Sequence, residues 1–297
     1  MFSRRHPFLF FILVFTGIVA GSSIVLSLIV SENIGSVEKQ SGEKVGVIEI
    51  NGAIIESKTI LDNLKSFRED DSIKAIVVRI DSPGGGVGPS QEIFRAIEKV
   101  RAKKHVIASM GALAASGGYY AASATEGIMA NPGTITGSIG VIMGYTNFKD
   151  IFDKIGLVPV VIKSGAFKDT GSPVREMRED EKVFLQDFVN KIHEQFVHDV
   201  SKGRNMEYAI VKKLADGRIY TGNEAMTLGL VDRLGNFEDA VEWAGELAGI
   251  EGEISVIYPP KPKLSIMEYV TESTMDELGK YFIDSKLSGG YIFNPGQ

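Results

Sequence analysis

Runs of apolar, β-branched residues alternate along the chain with stretches in which apolar residues recur every three or four positions. The runs at 45–50 and 73–80 are apolar almost throughout, which is typical of strands buried on both faces of a sheet. Residues 105–109 and 158–162 predict two further strands. Strands that alternate with helices across short turns predict an α/β fold with a largely parallel sheet. Helical spacing predicts helices at 59–67, 90–100, 179–201, 207–214 and 236–248.

The N-terminal region contains an apolar run at residues 8–30. A helix of this length is about 35 Å long at ~1.5 Å per residue, which is enough to span a bilayer. Arg4 and Arg5 precede the run, and positive charge on that flank predicts a cytoplasmic N-terminus and an extracytoplasmic body. We therefore expect residues 1–30 to form a cytoplasmic stub and a single-pass anchor in the cell membrane. A cleaved signal peptide is the alternative, but its apolar core is usually only about 7–15 residues long.

Composition divides the remaining chain into three parts. Residues 31–44 are polar and contain Gly, Ser and Glu, as a linker does. Residues 45–258 contain the alternating strands and helices and are expected to form the folded domain. Residues 259–297 begin Pro-rich and end in a segment with Gly, Asn and Pro, so we expect a tail outside the core.

The overall composition excludes several kinds of chemistry. The 297-residue chain has a net charge of −6, so no nucleic-acid partner is expected. It contains no cysteine, which excludes disulfides, thiolate metal sites and a cysteine nucleophile. It has only four histidines, so little material is available for histidine chemistry, and we expect neither a metal nor another cofactor.

Two glycine-rich segments follow predicted strands and carry candidate chemistry. Residues 81–86, Asp-Ser-Pro-Gly-Gly-Gly, lie between a strand and a helix, where backbone amides can stabilise developing negative charge. This suggests an oxyanion hole, and a plain tight turn is the alternative. Residues 111–120 place Ser116 before two glycines, as at a sharp turn that exposes a nucleophile between a strand and a helix. A helix cap or the close packing of small residues is the alternative there.

A nucleophilic serine needs a base, and the sequence favours a lysine over a histidine. The histidines lack a glycine-rich setting, so nothing in the sequence supports a Ser-His-Asp triad. Lys168 lies in a loop of mostly small residues, and Lys163 is the competing lysine; either is also explained as a surface charge. A lysine that accepts a proton must be neutral, so Asp169 is expected to point away from Lys168. Ser138, in another small-residue segment, is the candidate that orients the lysine.

Five sequence blocks together resemble signal peptide peptidase A, a family of membrane-anchored bacterial proteases with a Ser-Lys dyad. The resemblance extends over about residues 45–256 and matches the short form of the family, which has one catalytic domain. In chain order, the blocks are DSPGGG, SMGALAASGGYYAAS, TITGSIGVI, IKSGAFKDTGSPVREM and ADGRIYTGNEAMTLGLVDRLG.

This resemblance implies a crotonase-like or Clp-like fold, in which ββα units stack in a spiral. It implies that Ser116 is the nucleophile, that Lys168 is the general base and that Ser138 orients the lysine. The oxyanion donors are implied to be the amides of Gly85 and Gly117, and the glycines on either side of Gly85 leave the first assignment open.

The resemblance also implies partners and a function. Family members assemble into dome-shaped homo-oligomers, octamers in the short forms, and serine and lysine meet at subunit interfaces. The expected function is that of a membrane-bound serine endopeptidase, which degrades remnant signal peptides in the lipid bilayer and also misfolded polypeptide.

Two other classes of function stay open at this point. One is a crotonase-type acyl-CoA enzyme on the same fold, although such an enzyme needs no membrane anchor. The other is a catalytically inactive membrane scaffold, although Ser116 and Lys168 are both present. Within the protease class, the alternative is a membrane protease that cuts a single partner protein.

Overall fold

The computed structural model describes residues 8, 11–12, 15–22 and 43–260. By its internal contacts the chain divides into two units, Met1–Ile257 and Tyr258–Gln297. The predicted linker at 31–44 and the predicted tail at 259–297 lie almost wholly outside the described residues. The predicted anchor at 8–30 is described only in part. Its described residues are helical, but the described part of the chain contains no helix long and apolar enough to cross a membrane.

An eight-stranded sheet forms the centre of the described part of the first unit. The strands are β1 (Lys44–Asn51), β2 (Ile73–Ser82), β3 (His105–Ala115), β4 (Gly127–Ala130), β5 (Ile135–Gly137), β6 (Ile219–Thr221), β7 (Arg233–Leu234) and β8 (Ser255–Ile257). Its strands occur in the order β6-β5-β3-β2-β1-β8, and β4 branches from β3 and pairs with β7. Among these strands, only the pairing of β5 with β6 is antiparallel. The predicted α/β class with a largely parallel sheet is therefore confirmed.

The predicted helices are all present, and each end lies within three residues of its predicted position. The short helices at 149–155 and 222–227 were not predicted, because a helix of about two turns depends on its neighbours more than on its own sequence. The helices of the folded unit are α1 (Lys58–Glu69), α2 (Val87–Arg101), α3 (Gly117–Ser123), α4 (Lys149–Ile155), α5 (Glu179–Gly203), α6 (Tyr208–Leu214), α7 (Gly222–Thr227) and α8 (Phe237–Leu247).

The core covers both faces of the central strands. Val45 and Val47 of β1 pack in a cluster with residues of α8, whereas Ile48 and Ile50 belong to the larger cluster on the other face. Both sides of β1 are therefore buried, as its uninterrupted apolar run predicts. The larger cluster includes residues of α2 and of the C-terminal half of α5, which pack near the edge where β2 and β3 end.

The predicted strand at 158–162 is wrong. These residues form no strand, and the exposed fractions of Val158, Val160 and Ile162 are 82%, 83% and 98%. A β-branched run becomes a strand only where a neighbouring strand offers hydrogen bonds and packing, and no such partner borders this segment in the described residues. By contrast, β3 is longer than the predicted 105–109, because β4 pairs with its first half and β5 with its second.

Candidate active site

Three neighbouring strands end at one edge of the sheet, and each leads into a segment that the sequence singled out. β2 ends at Ser82, just before the glycine loop, and pairs with β3. Ala115 of β3 pairs with Gly137 of β5 in parallel register. Adjacent strands lie about 4.8 Å apart, so the residues that follow this pair, Ser116 and Ser138, occupy neighbouring positions.

Ser116 lies at the turn between β3 and α3 and has an unusual backbone conformation. Its φ and ψ angles are 52° and −119°, outside the regions that residues with a side chain normally adopt. Its N–H donates to the carbonyl of Gly137 at 2.9 Å, and its carbonyl accepts from the N–H of Tyr120 at 2.8 Å. Strained residues of this kind occur at sharp strand-to-helix turns that present a nucleophile.

The glycine loop after β2 packs directly against the start of α3. A Cβ atom on Gly84 would lie 2.5 Å from the amide nitrogen of Gly117. A Cβ atom on Gly117 would lie 3.2 Å from the amide nitrogen of Gly85. Two glycine amides therefore lie close together beside Ser116, in space that a side chain would fill.

Hydrogen bonding distinguishes the three glycines of this loop. The N–H of Gly84 donates to Oγ of Ser82 at 3.1 Å, and the N–H of Gly86 donates to the carbonyl of Ile54 at 2.8 Å. For the N–H of Gly85, no acceptor is found among the described residues. Gly85 is therefore the glycine whose amide is available to an oxyanion. The backbone of Ile54, which fixes this loop, carries no signal in the sequence.

A cavity of about 500 Å³ opens beside Ser116. Gly85, Gly117 and Ser138 border it together with the serine. One wall comes from α5, which the sequence identified as a helix but not as part of a site, because helical spacing does not tell what a helix packs against. The apolar side chains around the cavity include three from α5, Val189, Ile192 and Phe196, and three from other segments, Val87, Tyr120 and Ile142.

A histidine also borders the cavity, although the sequence did not indicate one. His193 projects from α5, and its Nε2 atom is buried without a hydrogen-bond partner among the described residues. Asp216 lies at the same cavity, but its carboxylate accepts hydrogen bonds from Arg218, which lower its pKa to about 2. The described residues thus contain no hydrogen-bonded Ser-His-Asp arrangement.

Lys168 lies apart from the other predicted site residues. It is exposed in a turn that precedes α5, and it is not among the residues that border the cavity. In the described part of the chain, no hydrogen bond or ion pair involves its ammonium group. One copy of the chain therefore brings Ser116, Ser138, Gly85 and Gly117 together but does not bring Lys168 to them.

The carboxylate of Asp169 is bound to cations other than Lys168, and the prediction that it points away is confirmed. Nε of Arg175 donates to it at 2.9 Å, and Nζ of Lys163 donates at 2.5 Å. These hydrogen bonds, that from Arg175 first, hold the pKa of Asp169 below its ordinary value. Lys163, the competing lysine, is therefore engaged in an ion pair with Asp169.

Comparison with known proteins identifies the family. The model of peptidase family S49 matches residues 98–251, which include Ser116, Ser138 and the turn with Lys168. The chain belongs to peptidase family S49. The S49 peptidase is a serine-type peptidase. This assignment takes the place of the acyl-CoA enzyme and the inactive scaffold as the class of function.

Relatives of the S49 peptidase agree with this assignment. It is 46% identical to a Synechocystis protein assigned as a protease, over 74% of this chain and 81% of that protein. It is 37% identical to an Enterococcus faecium protein assigned as signal peptide peptidase SppA, over 69% of this chain and 64% of that protein. Haemophilus influenzae Protease 4 is 33% identical over 72% of this chain but only 36% of its own length. The resemblance to signal peptide peptidase A is confirmed.

The glycine loop leads to a first prediction. Gly84→Ala is expected to lower kcat by about 10²–10³-fold with a smaller effect on KM, as does the loss of an oxyanion donor. Gly84 has a φ of +96°, and the new Cβ atom would displace the amide of Gly117. The measurement is kcat and KM for a fluorogenic peptide. Gly88→Ala, where a Cβ atom meets nothing within 4 Å, is the control and keeps its activity. A fully active Gly84→Ala would contradict the assignment of this loop.

Proposed function

We propose that the S49 peptidase is a membrane-bound serine endopeptidase that uses a Ser-Lys dyad to degrade remnant signal peptides and misfolded polypeptide. The observation that carries the proposal is the strained turn at Ser116, which lies between two glycine amides and a mostly apolar cavity. The apolar side chains of the cavity suit the hydrophobic segments of signal peptides. One relative is named for signal peptides, which supports this substrate class.

The proposed mechanism needs only side chains, backbone amides and water. Neutral Lys168 takes the proton from Oγ of Ser116, and the alkoxide attacks the carbonyl carbon of the scissile bond. The amides of Gly85 and Gly117 donate to the resulting oxyanion. The ammonium of Lys168 then protonates the leaving amine, and the lysine activates the water that hydrolyses the acyl-enzyme. Ser138 holds the lysine amine toward the nucleophile.

In this proposal, Lys168 reaches Ser116 from a second copy of the chain. Within one copy, the lysine is exposed outside the cavity. The segment that carries it, residues 141–188, exposes many large apolar side chains, which an interface between chains would cover. A head-to-tail contact that closes into a ring would cover this surface and bring one lysine to each serine. We propose an octamer, as the family resemblance implies. The most exposed of these side chains are Ile142, Val158, Val160, Ile162 and Val183.

The proposed setting is the cell membrane, with the anchor at 8–30, a cytoplasmic N-terminus and an extracytoplasmic catalytic domain. The length of the apolar run and the two arginines before it support this orientation. A tethered peptidase would stay near peptides that precursor processing leaves in the bilayer.

The proposed fold is the crotonase-like or Clp-like spiral. Its support is the fork at β3, where two different strands pair with successive halves of one long strand. Such a fork lets the sheet turn away from its first plane and continue as a second layer.

The cavity leads to a prediction about specificity. We assign it to the side chain that precedes the scissile bond, so Val189→Phe on α5 would partly fill it. The variant is expected to lower kcat/KM for a leucine peptide by about 10-fold or more relative to an alanine peptide, because one methylene alone is worth about 10-fold or more in such a pocket. The measurement uses the full chain in detergent with two fluorogenic peptides that differ only at this residue.

The control is Leu185→Phe, on the same helix but outside the cavity lining, which is expected to keep the leucine preference. An equal loss for both peptides in Val189→Phe would contradict the assignment of the cavity. A wild-type protein that cleaves neither peptide would contradict the proposed function itself.

A further inference from the structure

The residues next to Lys168 are fixed to α5, whereas its own ammonium is not bound among the described residues. The ring of Phe167 lies 5.4 Å from the ring of Phe184 on α5, centroid to centroid. The guanidinium of Arg178, which precedes α5, lies 5.6 Å from the centroid of the Phe167 ring. The turn is therefore fixed on the N-terminal side of Lys168 by contacts with a helix that borders the cavity.

Arg175 fixes the turn on the other side. Its Nε donates to the carboxylate of Asp169 at 2.9 Å, and its Nη2 donates to the backbone carbonyl of Asp169 at 3.0 Å. Nη1 and Nη2 also donate to the two carboxylate oxygens of Glu181, at 2.8 Å and 2.6 Å. Glu181 lies in the first turn of α5 and is fully buried. Arg175 thus joins the turn with Lys168 to a buried anion at the start of the helix.

The same contacts separate a negative charge from the lysine. Asp169 follows Lys168 directly, and a carboxylate paired with a lysine stabilises the ammonium, which cannot accept a proton. One carboxylate oxygen of Asp169 binds Lys163 and the other binds Arg175. The charged groups that face Asp169 are therefore Lys163 before the turn, Arg175 after it and, beyond Arg175, the Glu181 carboxylate of α5.

We propose that Arg175 is a positioning residue for the base of the dyad. It anchors the turn with Lys168 to Glu181 and holds the carboxylate of Asp169 away from the lysine. Lys163 cannot replace it, because an ammonium lacks the planar fork of donors that binds two carboxylates at once. This inference rests on the proposed function, in which Lys168 accepts the proton of the serine.

Arg175→Gln tests the inference through the dependence of kcat/KM on pH, measured on the full chain in detergent. Activity that needs a neutral lysine rises as pH increases through the pKa of that lysine. Without Arg175, the Asp169 carboxylate is free to pair with Lys168. The rising limb of the pH profile is then expected to move to higher pH by about one unit or more. The double variant Arg175→Gln/Asp169→Asn lacks the carboxylate, so its limb is expected to return toward the wild-type position.

Lys182→Gln is the matched control, because it also removes one positive charge but from an exposed pair with Glu179. Its pH profile is expected to equal that of the wild type. An unshifted limb in Arg175→Gln contradicts the inference. So does a shift that Asp169→Asn fails to reverse, because it would indicate a general structural effect.

A second measurement applies if Arg175→Gln does not fold, since the variant leaves Glu181 buried without its main partner. Asp169→Asn alone keeps one side-chain acceptor oxygen, so it can accept from either Arg175 or Lys163, and its backbone carbonyl still accepts from Nη2 of Arg175. Because the wild-type carboxylate does not contact the lysine, the limb is expected to stay in place, and a shift to lower pH would overturn the inference. If Lys168→Ala stays active, the proposed function fails too. If Lys168→Ala is inactive and Arg175→Gln is unshifted, only the positioning role fails.

Discussion

Ser116→Ala is expected to lower kcat for peptide hydrolysis by about 10⁵-fold or more, as the loss of a nucleophilic serine does in other serine peptidases. The strained turn presents Oγ of this residue beside the amides of Gly85 and Gly117. No other group can take its place, since the attacking oxygen must lie beside the carbonyl carbon whose own oxygen accepts from both amides. The measurement is turnover of a fluorogenic peptide by the full chain, with an intact oligomer confirmed by light scattering.

Ser138→Ala is the matched control for this loss. The two serines occupy neighbouring positions at the same edge of the sheet and border the same cavity. Because Ser138 is proposed to orient the base and not to attack the substrate, its loss is expected to cost no more than about 10²-fold. If instead Ser138→Ala were inactive while Ser116→Ala kept its activity, the nucleophile would have been assigned to the wrong strand.

Lys168→Ala is expected to lower kcat by about 10³-fold or more, because the proposed Ser-Lys dyad then has no general base. The loss is expected to persist at high pH, because raising the pH can deprotonate a lysine but cannot replace one that is absent. The comparison that decides the base is with His193→Gln, since this histidine borders the cavity and Lys168 does not in one copy of the chain. His193→Gln is expected to keep most of its activity.

The reverse result would identify a different base. Activity that survives Lys168→Ala but disappears in His193→Gln would mean that the histidine takes the proton of the serine. In that case, the exposed turn with Lys168 would need another explanation, and the site would be complete within one copy of the chain.

The parts of the site that the sequence predicts are those built from local patterns. A buried strand followed by small residues, Ser116 and a glycine pair describes a strand-to-helix turn without reference to the rest of the fold, and the structure has that turn. The glycine loop at 81–86 is equally local. The assignment of Gly85 within it is not, because it depends on hydrogen bonds with Ser82 and the distant Ile54.

The parts that the sequence did not predict depend on contacts between distant segments. The face of α5 with Val189 and His193 borders the cavity only because the helix packs across α3. The β-branched run at 158–162 lacks a partner strand, so its pattern indicated a strand that does not form. The separation of Lys168 from Ser116 within one copy is what the family resemblance implies, but sequence spacing by itself carries no information on it.

The measurement that tests the central claim most directly is complementation between the two inactive variants. Full-length Ser116→Ala and Lys168→Ala chains are dissociated, mixed in equal amounts and reassembled, and oligomers of the wild-type size are assayed. If serine and lysine come from different copies, one adjacent pair in about four combines an intact Ser116 with an intact Lys168, so the mixture recovers about a quarter of wild-type activity. A mixture that assembles fully but stays inactive would contradict a dyad shared between copies.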